Sequence, residues 1–297
     1  MMKARLLPGI LLAFSCGPAI AGPDQPRAGT GAAAQMLPFP AVETGETRAA
    51  ARRAAEEALV EDVVLHRCTA DRDWCAELVR DGELWLLEVV GRSSADGPER
   101  RVRFEPPDRE IGDPFFALWP HVVREADGAV IFGLLAARRT GFSGGGAMAT
   151  RLILVRVEPG GSQAAQVLTI PVQGSAMIRA CFGEQDMRLR RGACHDEYEF
   201  AGTLTLASGD GGGRPNFLFA SRARTYPGDV TRWEDSADRP PLRRGDLVWA
   251  DHPGCSYRRT FGFDPAARRY VIDAPLPDCG QFLVGEMALE EERPAAE

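Results

Sequence analysis

Lysine is nearly missing from this chain: Lys3 is the only one, so almost every fixed cation is an arginine. GC-rich coding explains that bias, and it also fits the abundance of alanine, glycine and proline, so no functional preference for guanidinium is read from it. Cations as a whole are outnumbered, 35 Lys and Arg against 42 Asp and Glu. A chain of that balance lacks the basic excess by which nucleic acid and anionic membrane surfaces are recognised, and neither is expected as a partner. The sequence also contains no C-x-x-C pair, P-loop, dinucleotide fingerprint or H-E-x-x-H. Thiolate zinc sites, nucleotide chemistry and zincin chemistry therefore have no support, and no cofactor is expected. The apolar run from Leu6 to Phe14 is broken by Pro8 and Gly9 and falls short of the about 20 residues that span a bilayer.

What that run does resemble is the middle of a secretory signal peptide, with Lys3 and Arg5 before it and Ala19-Ile20-Ala21 as the cleavage site. Residues 1–21 are read as the signal of an exported bacterial protein, periplasmic or secreted. A lipid anchor at Cys16 is the alternative, although Ala13 stands where lipidation usually has leucine. Cutting after Ala21 leaves 33 of the 35 basic residues against all 42 acidic ones. Six cysteines remain, Cys68, Cys75, Cys181, Cys194, Cys255 and Cys279, an even set of the kind that forms disulfides in an oxidising compartment. They fall into three couples, each flanking a polar loop, which predicts Cys68 with Cys75, Cys181 with Cys194 and Cys255 with Cys279.

Residues 22–46 are mostly Gly, Pro, Ala, Gln and Thr and read as a disordered linker. Thr47 can cap a short helix, because Ala51, Ala54, Ala55, Ala58 and Leu59 recur at helical spacing. Asp81-Gly82 between apolar runs signals a hairpin, and helix plus hairpin make a small N-terminal lobe over 47–112. From 113 to 285 the chain reads as strand after strand: Ala129 to Arg138, Thr150 to Glu158, Gln166 to Val172, Met177 to Phe182, Glu197 to Ala207, Asn216 to Thr225. The joints are Gly-rich and too short for crossover helices, so the sheet should be antiparallel. The expected fold is mainly β, a two-layer antiparallel sandwich, with partial propeller-like blades as the alternative. Residues 286–297 form an acidic tail.

Three sets of side chains invite a chemical reading. Gly141-Phe142-Ser143-Gly144-Gly145 matches the nucleophile elbow, but a strand follows where that motif needs a helix. Ser143, with His195 or His252 as its base, is a catalytic candidate only if that loop can stand in for the elbow. His195, Glu197 and Glu199 alternate on one strand face and are candidates for a divalent metal, with a solvated polar face as the competing role. Arg188, Arg190 and Arg191, on the loop closed by Cys181 and Cys194, are a candidate grip for a small anion, with pairing to neighbouring acids as the competing role. His66 and His121 lie among apolar residues and read as hydrogen-bonded structural groups. Arg244-Gly245-Asp246 is read as a chance tripeptide rather than an adhesion motif. No coherent catalytic set emerges. The expected role is a non-catalytic binding module for an envelope protein or a small anionic ligand, which an exposed aromatic patch around Phe142, Trp233 and Trp249 would favour. A cell-envelope hydrolase using Ser143 or the His195 cluster is the alternative.

Overall fold

The computed structural model describes residues 33–42, 65–81, 84–92, 99–106, 115–159, 163–207 and 214–283. The signal peptide, Cys16, the helix after Thr47 and the acidic tail lie outside them. A first strand, β1 (Gln35–Pro38), is followed by four that make a small sheet: β2 (His66–Cys68), β3 (Trp74–Asp81), β4 (Leu84–Arg92) and β5 (Glu99–Phe104). Then come β6 (Phe115–Arg124), β7 (Val130–Phe142), β8 (Gly145–Val157), β9 (Ala164–Arg179), the short helix α1 (Glu184–Leu189), β10 (His195–Leu206), β11 (Phe217–Tyr226), β12 (Ala250–Asp251), β13 (Arg258–Asp264) and β14 (Arg269–Ile272). These and β1 form one ten-stranded sheet, in which β6 through β11 are successive neighbours, β13 and β14 extend one edge, and β1 closes the other. Every ladder in both sheets is antiparallel. Among the described residues, the unbroken order of the large sheet leaves no separate blades.

The linker expected to be disordered supplies β1, because Met36, Leu37 and Phe39 have something to bury. Phe39 is 2% exposed, and its N–H donates to the Pro120 carbonyl at 2.9 Å. Pro120 itself falls at the register shift of β6, where its missing N–H breaks no ladder bond.

The large sheet is buried on both faces at its middle, which is why β7 and β8 read as continuous apolar runs. On β7, Val130, Phe132, Leu134 and Ala136 join Leu78, Leu87, Val89 and Val102 of the small sheet in one core. Ile131 and Leu135 pack on the opposite side with Tyr198, Phe200, Phe217 and Phe219. That second core forms because the sheet coils onto itself, bringing β14 beside β9 and β1 beside β10. Each fully buried aromatic there contributes about 1.5 to 3 kcal/mol. The layering thus differs from two facing sheets of equal extent: a small sheet covers part of one face, and the coiled sheet encloses the other core itself.

One sequence-level break is absent. The two strands expected on either side of Gln173-Gly174 are one strand, β9. Gly174 is not a turn residue there; a Cβ would collide with the Phe282 carbonyl oxygen, so the glycine lets another backbone cross closely. The Asp81-Gly82 hairpin is also offset: β3 and β4 pair Arg80 with Trp85 and Asp81 with Leu84, one residue later than a turn centred on Asp81-Gly82 requires.

The turn between β2 and β3 is tied to the large sheet through Asp71. Its carboxylate accepts from the Thr69 hydroxyl at 2.5 Å and from Arg124 on β6 at 2.6 Å. Partial burial pulls its pKa upward, but these bonds outweigh that and hold it at about 2. A carboxylate depressed in the folded state stabilises above its unfolded pKa of 3.8 and loses that contribution as pH falls toward about 2. Because the pair is half exposed, the expected contribution is about 1 kcal/mol. Urea unfolding of Asp71→Asn should show a deficit of that size at pH 6 that disappears near pH 2; a deficit constant across that window would contradict the linkage.

Candidate functional site

An open cleft of about 930 Å³ lies between β5 of the small sheet, the ends of β8 and β9, and the β13–β14 hairpin. Arg101, Arg103, Arg156, Arg214, Arg268 and Arg269 all line it, and Glu158 is the one carboxylate among its described lining side chains. In a chain of net charge −7 this is a local inversion of sign.

The arginines arrive by different routes. Arg101 and Arg103 are two apart on β5, with Val102 buried between them, so strand periodicity puts both on the face away from the core. Arg103 is held by Glu88 across the β4–β5 pair at 2.7 Å. Arg268 and Arg269 come from the β13–β14 turn, where Arg268 has φ 53°. Arg156, 3% exposed, is the anchor of the floor, pairing with Glu125 at 2.6 Å, Asp127 at 2.8 Å and Glu158 at 2.6 Å. Arg214 lies over the Phe263 ring, 4.1 Å from its centroid, and only 4.0 Å separates its Nη1 from Glu125.

The floor is polar and incompletely bonded. Arg214 Nη1 and Glu125 Oε1 are buried without hydrogen-bond partners, and the buried Tyr270 hydroxyl lies against Glu125. Burial pushes the Glu125 carboxyl up in pKa despite Arg156, and burial followed by the Glu125 charge pushes Tyr270 well up. Orphaned polar atoms are expensive in a protein interior, and here the Arg214 donor stands 4.0 Å from the Glu125 carboxylate, too far for a hydrogen bond. Arg214 can only donate, and its side chain is 29% exposed at the cleft, so what suits it there is an acceptor such as a carboxylate or phosphate oxygen.

The arginines singled out from the sequence sit at another end of the molecule and diverge. Arg188 is exposed and pairs with Glu184 along α1 at 3.4 Å. Arg190 is buried, donating to Asp196 and to the Ala193 carbonyl, while Ser236 donates to the second Asp196 oxygen. Arg191 donates to the Leu242 carbonyl at 2.7 Å. A separate cavity of about 300 Å³ opens beside this network, lined by Arg190, Ser236, Arg239 and Asp246 among others.

The other candidates are likewise kept apart. Ser143 is exposed at a tight β7–β8 hairpin, in which Phe142 pairs with Gly145 and Gly144 takes φ 86°. The glycines of the G-x-S-x-G run serve that turn, and no helix follows. Arg179 N donates to the Gly144 carbonyl and Arg179 pairs with His195, so one whole strand separates the turn from His195, about 10 Å at sheet spacing. His252 accepts from Cys255 N at 3.2 Å through Nδ1 and packs on Phe282. His195, Glu197 and Glu199 do share the outer face of β10, but Glu199 is tied to Arg224 at 2.6 Å and the three do not gather as a metal-holding group.

Nδ1 of His66 and of His121 is buried without a partner, while His66 Nε2 meets Cys68 Sγ at 3.6 Å. His121 packs against Trp119, and burial followed by the nearby Arg67 charge lowers its pKa. Phe142, Trp233 and Trp249 are exposed, with Trp249 held against Tyr226 and under Arg224. Comparison with protein-family models, with curated proteins and with solved structures finds no match for this chain.

The cleft arginines carried no signal in the sequence. R-R-V-R-F falls in a polar, Pro-rich stretch that reads as a lobe boundary rather than the strand β5 it forms, and R-P-N and A-A-R-R-Y read as ordinary turn and strand. Only the coiling of the large sheet and the placement of the small one bring them together.

Proposed function

We propose that this chain is an exported, disulfide-stapled binding module that holds a small anionic ligand, a carboxylate or phosphate, in the arginine-lined cleft. Three closed disulfides and a β scaffold suit an oxidising compartment, periplasmic or extracellular, with soluble export after residue 21 as the route and lipidation at Cys16 as the alternative. The observation that carries the reading is the cleft lining, six arginines against one carboxylate, with the Arg214 guanidinium laid on the Phe263 ring and its side chain 29% exposed. The binding is non-catalytic in this reading, and the ligand is recognised by forked hydrogen bonding and by the local positive field.

Calorimetric titration with inorganic phosphate and with succinate at low ionic strength tests it. Saturable binding of either, weakened about tenfold to a hundredfold in Arg214→Gln and unchanged in Arg188→Gln, is the expected result, since a charged hydrogen bond is worth about 1.5 to 3 kcal/mol. Absence of saturable binding by both anions, or equal binding by Arg214→Gln, overturns it.

A further inference from the structure

The first rungs of the small sheet carry a second constellation, independent of the cleft. Strands β2 and β3 pair His66 with Glu77, Arg67 with Ala76 and Cys68 with Cys75. Arg67 reaches the Phe39 and Leu118 carbonyls, and Ala76 is buried in the core shared with the large sheet. Alternation therefore sets His66, Cys68, Cys75 and Glu77 together on the opposite face, on the two rungs that flank the Arg67–Ala76 pair.

The ligand atoms of His66, Cys68 and Cys75 all lie within 4.8 Å of one another, and His66 Nε2 is 3.6 Å from Cys68 Sγ. With metal–sulfur bonds near 2.3 Å and metal–nitrogen bonds near 2.0 Å, tetrahedral geometry separates a ligating sulfur and nitrogen by about 3.6 Å. The imidazole and the Cys68 sulfur already stand at that separation. The ring's other nitrogen is buried without a hydrogen bond, so packing holds it there and no competing polar partner does. What closes the site is the bond between the two sulfurs. Cys75 is less buried than Cys68, which makes it the end of the bridge nearer solvent. Among the described residues, no other group of three such side chains converges, so neither of the other two disulfides has this neighbour set.

We propose that His66, Cys68 and Cys75 form a redox-gated site for a thiophilic divalent cation of the zinc class, closed by the disulfide and opened by its reduction. A dithiol reductant supplies two electrons and two protons, becoming a cyclic disulfide as Cys68 and Cys75 become thiols. The cation then displaces both thiol protons and takes two thiolates and the neutral imidazole as ligands. The fourth position falls to water or to the Glu77 carboxylate, which faces His66 on the same rung; two sulfurs with one imidazole suit zinc and cobalt over calcium or magnesium.

The test uses the full chain. A phosphine is titrated to the point at which peptide mass mapping shows Cys68 and Cys75 free and the other two bridges intact, and Co²⁺ is then added. The expected result is one cobalt per chain with a thiolate-to-metal charge-transfer band, displaced by Zn²⁺, absent from the oxidised protein, and weakened at least tenfold by His66→Ala. Should the bridges open together, Cys75→His offers the same three positions without any reductant, and it should bind one cobalt where Cys75→Ala does not. No cobalt uptake by the selectively reduced chain or by Cys75→His, or uptake indifferent to His66→Ala, overturns the proposal.

Discussion

Arg156→Met should destabilise the protein by about 3 to 5 kcal/mol, the largest effect expected of any single charged residue described. Arg156 is 3% exposed and the Glu125 side chain fully buried, so removing the cation strands a carboxylate in the interior beneath the cleft. Burial already raises the Glu125 pKa with Arg156 present, and without it the carboxyl must take up a proton to stay inside. For a carboxylate whose folded pKa lies above its unfolded one, stability is fully present below the unfolded value of 4.5 and is lost as pH rises through the folded value. The deficit of Arg156→Met should therefore be smaller at pH 4 than at pH 7, and Glu125→Gln in the same chain should recover much of it. Urea denaturation across that range decides the matter: a deficit under about 1 kcal/mol, or one that grows toward low pH, would show that the pair is not the anchor its burial implies.

Loss of the Cys255–Cys279 bridge should rank next. It closes the longest of the three loops, at a sequence separation of 24 against 13 and 7. In the chain-entropy account these loops stabilise by about 3.5, 3 and 2.5 kcal/mol. The first has a further role: Cys255 and Cys279 are buried in the core with Phe282 and Leu283, and Phe282 packs on Tyr198 and His252. Replacing both cysteines by serine frees that segment as well as the loop. A melting temperature falling further for this double variant than for Cys181→Ser with Cys194→Ser, and least for Cys68→Ser with Cys75→Ser, is the expected order. Against a total of about 5 to 15 kcal/mol, reducing all three should unfold the chain. Peptide mapping without reduction comes first; a fragment joining Cys68 to Cys194 would refute the pairing on which the order rests.

The sequence by itself determined the mainly β antiparallel class, because Gly-rich joints leave no length for crossovers, and the three disulfide couples, because each pair flanks its own short loop. It also determined which face of β10 is wet, since a period of two is a local property of the strand. Candidate sites were another matter. The arginines of 188–191 stood out because they are adjacent in the chain, yet a tight helical turn aims neighbouring side chains apart, and they end as separate structural pairs. The cleft arginines are as much as 168 positions apart, from Arg101 to Arg269, and none is conspicuous in its own segment. Their convergence depends on how tightly the large sheet coils, which is decided by long-range contacts such as the Phe282 backbone crossing Gly174. His66 likewise looked like one more core histidine until the β2–β3 register set it beside two sulfurs. Strand period and loop length are encoded locally; register, coiling and the meeting of distant strands are settled only when the whole chain packs, and both proposed sites depend on the latter.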